Sequence, residues 1–161
     1  MDSNAMQAIG LFLQCLEVIV IPVTAVLFEY FHRKWQTQQR QRSLASQLRF
    51  EMQKNLHIAQ GSVEIYEKHC KEFREKGWDP EEKPVTARRP YGWRTSVYDT
   101  NRREIWELLG EKAGRAFDEA YDKMTKGLWK GDDLIPPARC KRAFEEVVQL
   151  IQDAINSLPD C

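Results

Sequence analysis

Metal chemistry would need cysteines or histidines gathered at short, regular spacing. The chain instead scatters Cys15, Cys70, Cys140 and Cys161, with no Cys-x-x-Cys pair. His69 stands beside Cys70, but neighbours on a helix point about 100° apart and rarely share an ion. The cysteines therefore read as isolated thiols in a reducing compartment, and no metal or other cofactor is expected. Acid–base chemistry would need carboxylates converging on one atom, whereas Asp132–Asp133 and Glu145–Glu146 are adjacent pairs that diverge. His57 falls off the apolar seam of its helix and is expected to be exposed. There is no Gly-rich phosphate loop, no Gly-x-Ser-x-Gly and no His-Glu-x-x-His. No catalytic residue is assigned and an enzyme is not expected; a site gathered only in three dimensions is the one catalytic route left open.

Two other groups of residues can do physical work. Glu17 lies inside the apolar run "AIGLFLQCLEVIVIPVTAVLF", Ala8 to Phe28, and an ionisable group in such a run is a functional candidate. Gln7, Gly10, Gln14, Glu17 and Thr24 follow at steps of three, four, three and seven, which places them on one helical face. That face suits pairing with a second helix, where amides hydrogen-bond and Gly10 permits close approach. The other group is "ARRPYGWRTSVYDTNRR", in which Arg88, Arg89, Tyr91, Trp93 and Arg94 interleave arginines with aromatics. Such a mixture grips a protein partner, or else its aromatics fold under as core. Nucleic acid is not expected, because 24 basic residues are balanced by 24 acidic ones and no net positive field exists.

Charge is segregated locally all the same. Six basic residues stand against two acidic ones from Glu29 to Gln60, and five against one from Arg88 to Arg103. The apolar run is about as long as a helix needs to cross a bilayer core. The basic cluster follows it rather than preceding it, which suits an uncleaved anchor and not a signal peptide. The positive-inside rule then leaves the amino terminus outside and the carboxy-terminal domain in the cytoplasm, with the protein in the cytoplasmic (inner) membrane. Tyr30, Arg33, Lys34 and Trp35 would sit at the membrane interface.

The elements that must hold these residues are helical. Residues 1–7 form a tail in which "SNA" has the look of a purification-tag remnant; 8–30 are the expected transmembrane helix and 31–43 a basic juxtamembrane stalk. Residues 44–161 are expected as a cytoplasmic helical bundle with a loop over 77–94, where Gly and Pro concentrate. Met52, Leu56, Ala59, Val63, Tyr66, Cys70 and Phe73 alternate four and three apart, a heptad seam that Leu44 and Leu48 extend upstream. Asn101 and Glu104 have capping-box spacing and predict a short helix that stops at Gly110. Ala113, Phe117, Ala120, Tyr121 and Met124 predict a further helix ending near Gly127. Cys140, Phe144, Val147, Ile151, Ala154 and Leu158 predict the last. No strand is expected. The fold class is all-α: an N-terminal transmembrane helix continuing into a long helix, then an antiparallel bundle of about four helices.

This order of elements, with Leu48, Glu51, Asn55 and Leu56 matching a recurring pattern of leucine, acidic residue, then Asn-Leu, resembles uncharacterised small bacterial and phage single-span proteins with a cytoplasmic helical domain. The resemblance implies a membrane-attached helical domain, sometimes found among phage-exclusion and defence genes, and assigns no catalytic residue. The functional expectation is a membrane-anchored, self-associating helical module that binds a protein partner as scaffold, sensor or host–phage interference factor. Its partners would be the lipid bilayer, further copies of itself and a protein. The alternative is a soluble helical oligomer whose first helix packs in an intersubunit core.

Overall fold

A computed structural model describes residues 3–87, 90, 92–127 and 133–159, with the backbone alone for 3–9, 11–17 and 127. The chain divides into two compact units, 1–40 and 41–161. Helix α1 is a single element, Ser3–Glu75.

Within the first unit α1 contains Pro22, which removes one backbone N–H and deprives the Val18 carbonyl of its partner one turn later. The apolar side chains around it are exposed, Val18 at 73%, Ile19 at 63%, Ile21 at 62% and Phe28 at 73%. Among the described residues no helix is long and apolar enough to cross a membrane; the side chains of 8, 9 and 11–17, within the transmembrane helix expected over 8–30, lie outside them.

In the second unit α1 buries Leu44, Ala45, Leu48, Met52, Ala59, Tyr66, Cys70 and Phe73, while Leu56 and Val63 are half-buried against the same core. The helix ends in a Schellman motif. Gly77 takes a φ of 71°, its N–H donates to the Arg74 carbonyl at 3.0 Å, and the Trp78 N–H donates to the Phe73 carbonyl at 2.9 Å. The hydrophobic contact that accompanies such a cap is Phe73 against Trp78, edge-on with centroids 5.4 Å apart.

Helix α2, Ser96–Glu104, runs into a π turn, Ile105–Leu109, and α3, Gly110–Asp122, into another, Lys123–Gly127. Gly110, with a φ of 86°, makes the break between them. Helix α4, Pro137–Asn156, starts on proline, whose missing N–H costs nothing at that position. It buries Cys140, Phe144, Val147, Ile151 and Ala154, and stacks Phe144 on Tyr66 at 5.7 Å. Bidentate hydrogen bonds from Arg142 to Glu81, 2.6 and 2.8 Å long, tie α4 to the segment after α1.

Three expectations are corrected here. The bundle of about four helices becomes three long ones, α1, α3 and α4, because the chain after the 77–94 loop spends only nine residues on α2. The capping box at Asn101 is not used: α2 has already begun at Ser96, and Asn101 lies inside it, its amide donating to the Val97 carbonyl at 2.8 Å. Two three-residue strands also form, β1 (Val85–Ala87) antiparallel to β2 (Asp133–Ile135), with Thr86 opposite Leu134. Segments this short are settled by the partner strand and carry no alternating pattern of their own.

Candidate functional site

Glu51 and Asn55, one turn apart on α1, are the buried polar residues among those described, 2% and 0% exposed. Both face the segment that opens α2. The Asn55 amide donates to the Arg94 carbonyl at 2.7 Å, and the Arg94 N–H donates back to Asn55 Oδ1 at 2.8 Å. This reciprocal pair treats a side chain as if it were a strand edge. Thr95 stands at the N-cap of α2 but makes no side-chain capping bond. Glu51 takes over that role, accepting the N–H of Val97 at 2.9 Å and of Tyr98 at 3.2 Å, and the Ser96 hydroxyl at 3.3 Å. Its charge also sits at the positive end of the α2 dipole.

The Tyr121 hydroxyl completes the carboxylate's shell, donating to Glu51 from α3. Tyr121 lies flat on Tyr98, centroids 3.9 Å apart at 11°, and the Tyr98 hydroxyl donates to Asp118. Arg102 holds Asp118 through two bonds of 3.2 and 2.9 Å. Burial pushes both phenols well above the ordinary tyrosine range, and their carboxylate partners add to the shift. For Asp118 burial acts upward, but the hydrogen bonds from Arg102 and Tyr98 outweigh it and hold the carboxyl below its usual range. Stability from that shift is present above the ordinary carboxylate pKa and is lost as pH falls through the lowered one.

A cleft of about 200 Å³ opens over this network, lined by Tyr98, Asp99, Arg102, Asp118, Asp122 and Lys126 among others. Two of its carboxylates are paired, Asp118 to Arg102 and Asp122 to Lys126 at 2.6 Å. No histidine lines it; His57 is exposed elsewhere on α1. No group of three or more His, Cys, Asp or Glu side chains that could hold a metal occurs among the described residues. Cys70 and Cys140 are buried free thiols, and burial pushes Cys140 up to about 11, far from a reactive thiolate. The arrangement fastens α1, α2 and α3 together.

The first unit presents a different surface. From Val18 to Phe28 apolar side chains are exposed, followed by Tyr30, Phe31 and Trp35 at 59%, 61% and 56%. Arg33 pairs with Glu29 one turn earlier, and both are exposed. The Thr24 hydroxyl donates to the carbonyls of Val20 and Ile21, at 2.8 and 2.9 Å, so it requires no outside partner.

The expected sites map onto this picture unevenly. On the proposed pairing face Gly10 and Thr24 are exposed, while the side chains of Gln7, Gln14 and Glu17 lie outside the described residues. Tyr30, Arg33, Lys34 and Trp35 are all exposed. In the candidate partner loop, Arg88, Arg89 and Tyr91 lie outside the described residues. Trp93 is half-buried against the core, with its indole N–H enclosed and without an acceptor among those residues. Arg94 is exposed and is held through its main chain. Tyr98, Arg102, Asp118 and Tyr121 were not singled out as a network by sequence. The one available signal was polar Glu51 and Asn55 on the buried side of the heptad seam. No family model matches the chain, and no curated protein or solved structure matches it. The fold defines a predominantly helical protein.

Proposed function

We propose that the chain is a membrane-anchored, self-associating helical module that presents its carboxy-terminal helical unit to a protein partner at the cytoplasmic face. The observation that carries this reading is the uncovered apolar surface from Val18 to Phe28. Exposed apolar area of that extent requires lipid or another protein surface. The apolar composition of 8–28 and the basic residues after it favour lipid, in a single pass with the amino terminus outside. The Glu51 and Asn55 latch supports a binding role for the second unit, since it stiffens a helical platform.

A second reading has its own support. The side chains from Val18 to Phe28 are exposed, so α1 also suits the centre of an oligomer in which copies cover one another's residues 18–28. Fractionation separates the two. The anchored protein stays with membranes through a high-salt wash and leaves only in detergent, whereas release by salt alone would overturn the anchor.

A further inference from the structure

We infer that residues 30–40 form a collar for anionic lipid headgroups, a surface selective for phosphate-bearing lipid over neutral lipid; this inference rests on the membrane-anchored reading above. Three observations carry it.

The first is charge. From Tyr30 to Arg40 the chain contains Arg33, Lys34 and Arg40 and no carboxylate. The nearest one, Glu29, is taken by Arg33. By formal count residues 29–40 carry three basic side chains against one acidic one, a net positive stretch directly after the apolar run, where lipid phosphates lie. The second is the side chains between those charges. Tyr30, Phe31 and Trp35 are each more than half exposed, and amphipathic aromatic rings prefer the headgroup level of a bilayer.

The third is angular, and it chooses among occupants. At about 100° per residue, with Arg33 as origin, Lys34 falls near 100° and Arg40 near 340°, while Tyr30, Phe31 and Trp35 fall near 60°, 160° and 200°. Together they cover about 220° of the circumference, roughly twice the stripe of about 100° that packs on a protein neighbour. The exposed apolar residues Val18, Ile19, Val20 and Ile21 likewise point to every side. A single partner helix would cover one face and leave the others wet. Headgroups surround a helix.

The test uses the full-length protein reconstituted into vesicles of phosphatidylcholine, alone or with phosphatidylglycerol, one of the two lipids brominated on its acyl chains. Trp35 emission is isolated as the difference between wild type and Trp35→Phe. The collar predicts that brominated phosphatidylglycerol associates next to Trp35 at least about threefold more strongly than brominated phosphatidylcholine. The preference should fall to about one in the R33Q/K34Q/R40Q variant. Equal quenching by the two lipids, with the protein still co-floating with vesicles, would overturn the collar and leave the anchor standing. An undiminished preference in the triple variant would overturn the assignment to these side chains. Failure to co-float with either vesicle would overturn the anchor itself.

Discussion

At the residue scale, the second unit depends on one carboxylate meeting several donors that have no other acceptor. Removing Glu51, itself 2% exposed, leaves the Val97 and Tyr98 amides and the Tyr121 hydroxyl without it. Leaving buried donors unpaired costs more than the bonds themselves contributed. Glu51→Ala should therefore lower the unfolding free energy by about 3 kcal/mol or more, read as a lower urea midpoint at unchanged slope. Glu51→Gln keeps an amide oxygen for the α2 N–H groups and should cost less, about half as much. Equal losses for the two variants would mean that the capping bonds contribute little. Trp93 illustrates how a residue can be read two ways from sequence. Its type and arginine neighbours suit an interface, yet its ring packs on the core. Which outcome holds depends on where the chain turns after Pro90, and no local pattern encodes that.

At the element scale, periodicity was informative and boundaries were not. The seam from Leu44 to Phe73 and the faces of α3 and α4 follow the four-and-three spacing because each packs one stripe against the others. The start of α2 does not follow its local capping signal, because its cap is supplied from α1, 45 residues or more away in sequence. The junction between α2 and α3 carries a close packing that sequence hides. The Trp106 ring lies over Gly114, where an added Cβ would come within 2.5 Å of a ring carbon. Gly114→Ala must displace the ring, and overpacking of this kind costs about 1–3 kcal/mol. The expected result is a lower melting temperature and a red-shifted tryptophan emission as Trp106, already 38% exposed, moves into water. Unchanged emission with full stability would show that the contact is easily relieved.

At the scale of the whole molecule, every buried residue among those described lies at Leu44 or later. The unit 41–161 thus has a core of its own and residues 18–40 contribute none of it. A chain of residues 41–161 should keep a single cooperative thermal transition, with a midpoint within about 5 °C of the full-length protein in detergent. Loss of that transition would mean that the first unit is needed for folding. The sequence by itself determined the helical class, the apolar stretch with its basic flank, and the faces of the long helices. These properties depend on residue type and on a helical period of 3.6, and both are local. Only the tertiary structure decided that Glu51 caps a helix it does not belong to, that Tyr98 and Tyr121 stack between two carboxylates, and that Trp93 turns inward. Each of these is a meeting of residues tens of positions apart, and such meetings are selected by packing and by the need to pair every buried polar group.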